Sequence, residues 1–139
     1  MSKFSGLGLA IEVPSRMIIL HPVTRYPLRN TLGEETYIDL LSASSSVGRA
    51  HDRTMTDARI KMGNKRYSAE EFENSVNERL ATLTRGWSLA TLDGDPIDVP
   101  YSPANARELY ALPELSWLRD QAIEFIGDVG NFHKGASQS

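Results

Sequence analysis

Two prolines, each placed where a helix tolerates one only at its start, punctuate the second half of this chain: Ser102-Pro103 and Leu112-Pro113. Proline lacks a backbone N–H and has a fixed φ, so it breaks a helix interior but fits the first helical position. Ser102 ahead of Pro103 offers a side-chain oxygen to an orphan N–H, and a helix is predicted to start there. Ala106, Leu109 and Tyr110 follow three and four apart, until Pro113 opens a new helix after Leu112. In that second helix Leu115, Leu118, Ala122, Phe125, Ile126 and Val129 recur at helical spacing, leaving Glu114, Arg119, Asp120 and Glu124 to face water. The two short helices should pack as a corner. Just before them, Leu92-Asp93-Gly94-Asp95-Pro96-Ile97 reads as a tight turn in which Asp-Gly supplies a positive φ and Pro96 forbids a central strand. That turn brings Trp87 and Leu89 back towards the helices.

Upstream, Ser68-Ala69-Glu70-Glu71 has the form of a capping box, with Glu70, Glu71 and Glu73 at the positive end of the helix dipole. Its apolar stripe is Phe72, Val76, Leu80 and Leu83, and the helix delivers Trp87 to the core. Ser44-Ser45-Ser46 offers three N-caps to a further helix that runs to Met62, with Val47, Ala50 or His51, Met55, Ala58 and Met62 on one face. Gly48, Thr54 and Thr56 weaken this helix by about 1 to 2 kcal/mol against an alanine-rich one, and Gly63-Asn64-Lys65 stops it. Two short β-prone runs, Arg16 to His21 and Thr36 to Leu41, flank a proline-rich segment and suggest a β-hairpin with a long exposed loop. The expected fold class is therefore α+β, mainly α: an N-terminal β-hairpin followed by about four helices. Residues 1–15 read as a flexible arm, 16–132 as a single domain (hairpin 16–41, helical part 44–132), and 133–139 as a disordered tail. The expected core is Phe72, Val76, Leu80, Leu83, Trp87, Tyr110, Leu118 and Phe125.

At 139 residues the chain is one domain's worth. Its 15 basic and 18 acidic residues are interspersed, giving a net charge of -3 without any block of like charge, so nucleic acid is a poor partner. Without cysteine there is no disulfide, thiol nucleophile or thiolate metal site. The N-terminus is too short and glycine-broken for a signal peptide, and no run approaches the ~20 apolar residues of a membrane span. A cytoplasmic protein without membrane contact is expected.

No catalytic, metal or cofactor site is expected either. His21, His51 and His133 are far apart and form no metal-binding pair. Asp93-Gly94-Asp95 begins like a calcium loop, but Pro96 follows and the twelfth position is Ala104 rather than glutamate. Gly6-Leu7-Gly8 lacks the third glycine of a dinucleotide site, and Ser44 to Ser46 lack a nucleophile elbow. The aromatic residues of the second half are first of all core material. Trp117 and Phe132 are the two assigned to the border of an apolar groove for a partner helix or strand. Met55 and Met62 on the weak helix and Tyr26 in the hairpin loop complete the partner-binding candidates.

Several segments follow one another in a telling order: Gly86-Trp87-Ser88, Leu92-Asp93-Gly94, Tyr101 to Tyr110, Trp117-Leu118-Arg119-Asp120-Gln121 and Asn131-Phe132. Their succession resembles the C-terminal half of tail assembly chaperones of long-tailed, siphovirus-like bacteriophages, prophages and gene-transfer particles. His21-Pro22-Val23-Thr24 and the Ser44 to Arg49 segment are similar to the N-terminal part of that group. The resemblance implies a non-catalytic protein of the bacterial host cytoplasm that binds the tape measure protein, and possibly the tail tube protein. It would keep the tape measure soluble while the tube assembles, self-associate along it and be absent from the mature virion. The alternative is a structural head-tail connector or tail terminator subunit, for which two short strands are few.

Overall fold

The computed structural model describes residues 3–63 and 68–133. Among them four strands form one antiparallel sheet in the order β1-β2-β3-β4, with β1 at Ser15–Ile18, β2 at Tyr37–Leu40, β3 at Thr84–Ala90 and β4 at Pro96–Ile97. Four α-helices accompany it: α1 (Ser46–Met62), α2 (Ala69–Leu83), α3 (Pro103–Ala111) and α4 (Ser116–Gly127). The α+β class with an N-terminal hairpin and four helices is as expected.

The hairpin forms because its apolar residues alternate. Met17 and Ile19 on one side and Ile38 and Leu40 on the other are buried, while Arg16, Tyr37 and Asp39 fall on the opposite face. There the Arg16 Nε donates to Asp39 Oδ1 at 2.9 Å, and the guanidinium lies 3.6 Å from the centre of the Tyr37 ring. The connecting loop is long and largely exposed, as expected, but it is braced at its base. It folds into a small ladder, with Ile19 N–H donating to Thr36 O, Leu28 N–H to Ile19 O and Thr36 N–H to Leu28 O, and this buries Leu28.

The stretch Thr84–Ala90, read from the sequence only as the path from α2 to the corner, is a central strand. It pairs with β2, Trp87 lying opposite Ile38 and Gly86 opposite Asp39. Thr84 caps α2 and starts β3 at once, so no loop marks the change from helix to strand. Pro96 does sit in a strand, the two-residue β4 at the sheet edge, where its missing N–H breaks no ladder. Gly94 takes the positive φ expected of it, +97°. This turn also meets the hairpin loop, since Thr31 N–H donates to Gly94 O at 2.9 Å.

The helix starts follow their caps. Ser45, Ser68 and Ser102 each accept from the N–H three residues on: Gly48, Glu71 and Asn105. Pro113 opens a 3-10 turn, Pro113–Leu115, that leads directly into α4. Gly48 has a packing reason beyond its low helix propensity: a Cβ there would overlap the Ala43 carbonyl, with its carbon only 2.9 Å away.

α2 touches α1, α3 and α4, and its Leu80 and Leu83 meet Ile38 and Leu40 of the sheet in one core with Tyr110 and Leu118. Each such side chain, fully buried, contributes about 1.5 to 3 kcal/mol. Tyr110 is 1% exposed. Its hydroxyl lies 2.8 Å from Thr84 Oγ1, which itself donates to Leu80 O, so the phenol is the donor. Burial pushes the Tyr110 phenol up to about 12, as desolvation disfavours the phenolate.

Two aromatic assignments are reversed. Phe72, expected in the core, is 61% exposed, because α2 projects its N-terminal turns beyond the sheet-facing core. Phe132, expected at a partner groove, is 1% exposed. A 3-10 turn over Val129–Phe132 folds it onto Phe125, ring centres 5.5 Å apart. Val76, Trp87 and Phe125 are partly buried against the core instead of within it, and Leu80, Leu83, Tyr110 and Leu118 are core residues. Within the segment read as an arm, Ala10 N–H donates to Phe132 O, the Glu12 carboxylate accepts from both the N–H and the hydroxyl of Ser46, and Ser15 belongs to β1. Those two Ser46 bonds lower the Glu12 pKa from its ordinary value, the hydroxyl being the larger cause. The expected tail beyond His133 and the Asn64-Lys65 stop lie outside the described residues.

Candidate functional site

An apolar, open trough lies between the sheet end and α3. Its walls are Trp87 and Leu89 from β3, Ile97 from β4 and Val99 just after it, and Leu109 from α3 with Leu112 at its C-cap, around a volume of about 420 Å³. Local rules build each wall. Strand alternation puts Trp87 and Leu89 on one face, and helical spacing aligns Leu109 with Leu112. The Trp87 ring is held edge-on to Tyr101 at 5.4 Å between centres, and its Nε1–H donates to Val99 O at 2.8 Å. The Tyr101 hydroxyl in turn donates to Thr84 O at 2.7 Å. Ile97, Val99 and Leu112 are each about 40% exposed, at 40%, 42% and 39%. These side chains hold apolar surface in contact with water on a fixed frame, with the shape and chemistry to accept apolar groups.

A second, shallower apolar area surrounds Phe72. On one side it meets Val76 and Ile123 with Arg119, on the other Met55, Arg59 and Ser75. Of the expected partner-binding residues, Met55 is therefore brought to an exposed ring. Met62 lies two turns further along α1 and is half-buried. Tyr26 is 75% exposed at the hairpin loop. Trp117 is partly buried against the core, and Phe132 is within it, so the groove assigned to these two is not formed by them.

The trough carries no sequence signal, because Ile97, Val99 and Leu112 are scattered between prolines and acids, where neither helical nor strand periodicity is visible. Gln121 is a structural device that the sequence does not announce. Its side-chain amide pairs with both backbone groups of Leu20, accepting from N–H at 3.0 Å and donating to O at 2.8 Å, like a strand neighbour. With Ser15 Oγ donating to Asn131 O, it ties β1 to α4 and the turn after it.

The histidines stay apart. His21 Nδ1 accepts from Val23 and Thr24 N–H within its own loop, and His51 lies half-buried on α1. Among the described residues no group of three or more His, Asp and Glu is placed to hold a metal ion, and no helix is long and apolar enough to cross a membrane. The residues that carry the resemblance to tail assembly chaperones occupy caps, turns and packed joints: Ser102 and Pro103 start α3, Asp93-Gly94 makes the turn, and Asn131 donates to Phe125 O. Comparison with protein families, with characterised proteins and with solved structures finds no match to this chain.

Proposed function

We propose that this protein is a non-catalytic tail assembly chaperone of a long-tailed bacteriophage or phage-derived particle, binding the tape measure protein in the host cytoplasm while the tail tube forms. The observation that carries this reading is the trough beside α3, apolar on its floor and walls and framed by hydrogen-bonded rings. A long, apolar, helix-rich client needs its surface covered until the tube encloses it, and a protein that presents apolar side chains on a soluble frame covers it transiently. The exposed ring of Phe72 adds a second contact area, so one chaperone can touch the client and a neighbouring copy together.

Co-expression with the longest helical reading frame encoded downstream tests it, followed by size-exclusion chromatography with light scattering. The chaperone reading expects the long protein to be soluble only in the presence of this one and to elute with several copies of it. A second reading, a connector or tail terminator subunit, is favoured by the four-stranded sheet, which removes the objection that two strands are too few for a ring. A closed ring of this chain alone, indifferent to the long protein, would replace the first reading with the second.

A further inference from the structure

We infer that the trough between β3, β4 and α3 takes a cationic amphipathic helix, its apolar stripe against Trp87 and Leu112 and its basic residues towards the acidic rim. The inference rests on the client-binding reading and names the surface and chemistry of the segment bound.

Charge is the first argument. Between Gly86 and Leu118 the chain carries Asp93, Asp95, Asp98, Glu108 and Glu114 against one base, Arg107; five acids and one base leave -4, in a chain whose total is -3. Arg107 is already engaged, its Nε lying 3.1 and 3.0 Å from the two carboxylate oxygens of Glu78 on α2. Glu108 lines the trough, and the exposed Asp98 sits between its lining residues Ile97 and Val99. A ligand that covers the apolar walls therefore meets carboxylates at the rim, and lysine or arginine beside its own stripe complements them.

Shape chooses a helix over a strand. The sheet ends here in β4, two residues long, and Pro96 has no N–H to give, so an added strand finds little to pair with. The opposite edge is occupied at Leu20 by the Gln121 amide. α3, nine residues long and thus about 13 Å at 1.5 Å per residue, supplies one long wall against which a helix of two to three turns lies.

The test uses the full chain, labelled with ¹⁵N, and two synthetic 18-residue peptides with the same Leu stripe, one bearing Lys and the other Glu on its polar positions. The Trp87 indole N–H, bonded to Val99 O, is a resonance inside the trough. The expected result is that the Lys peptide shifts the Trp87 indole and the amides of Leu109 and Leu112, and binds at least tenfold more tightly than the Glu peptide. Leu112→Ser and the pair Asp98→Lys with Glu108→Lys, all at exposed positions, should each weaken it at least fivefold with the spectrum otherwise unchanged. Equal binding of both peptides, shifts centred on Phe72 and Met55, or no binding at millimolar peptide overturns the proposal. So do concentration-dependent shifts at Leu112 without peptide, which would make a second copy of this chain the occupant. If the client co-elutes yet the peptide fails, the trough assignment falls while the chaperone reading stands; if neither binds, both fall.

Discussion

The two ends of α2 carry one apolar stripe and meet opposite fates. At the C-terminal end Leu80 and Leu83 are closed in, 1% and 0% exposed, beneath the sheet and beside Tyr110. At the N-terminal end Phe72 stands 61% exposed and Val76 is only half-buried. Spacing of four, four and three puts these residues on one face, but a face has length, and the sheet and α3 extend along only part of it. Arg119 of α4 reaches the free end instead, bonding Glu73 and Asn77 at 3.2 Å each, so polar contacts replace apolar ones there. The Glu73 end of the pair is open to water, and ion pairs with a solvated partner contribute little to stability, about 0 to 1 kcal/mol. One end of the helix therefore holds the fold, and the other is available for contact.

The contrast can be broken by substitution at either end. The largest effect is expected from Leu83→Ala, which opens a cavity beneath the sheet and should cost about 2 to 5 kcal/mol in urea unfolding. A loss below 1 kcal/mol there would show that the buried end is not the one holding the fold.

Tyr110→Phe is the intermediate case. It removes the hydroxyl that donates to Thr84 while keeping the ring, at a cost of about 0.5 to 1.5 kcal/mol at neutral pH. It also removes a pH dependence. With its folded-state pKa pushed up from 10.0 to about 12, Tyr110 keeps its proton in the folded protein after the unfolded chain has lost it. The unfolded state thus binds fewer protons between pH 10 and 12, and stability falls as pH rises through that window. Unfolding followed at several alkaline pH values should show a shallower decline in Tyr110→Phe than in the parent, and parallel curves would remove the titration from Tyr110.

The smallest effect belongs to Phe72→Ser. An exposed ring away from the core should change stability by no more than about 0.5 kcal/mol, while association with a client or a second copy weakens. A loss of several kcal/mol would place Phe72 in the core and erase the difference between the two ends.

Local chemistry was legible wherever a rule acts over three or four residues. Ser45, Ser68 and Ser102 stand at the helix starts, Asp93-Gly94 makes its turn, and the hairpin pairs in the expected sense. The strand Thr84–Ala90 was not, since it follows α2 without punctuation and contains Gly86, a residue that weakens isolated strand propensity. Its pairing with Ile38 and Asp39 comes from a segment more than forty residues earlier. Of the candidate surface, Met55 was anticipated as a contact residue, but neither the exposed Phe72 ring beside it nor the trough was. Its walls are assembled from β3, the β4 return and α3, and none of them alone shows an apolar face to water.

What the sequence determined by itself is the N-terminal hairpin, the four helices and most of their ends, because caps, prolines, glycines and periodicity act through neighbouring backbone groups. Which aromatic ring is buried was decided only by tertiary structure. Phe132 lies beside a polar, glycine-containing turn yet is enclosed, since Asp128 accepts from Gly130 N–H and bends the chain back over Phe125. Phe72 lies on an ideal stripe yet meets water, since no other element among the described residues extends far enough to cover it. Burial depends on what arrives from elsewhere in the chain, and periodicity carries no information about that.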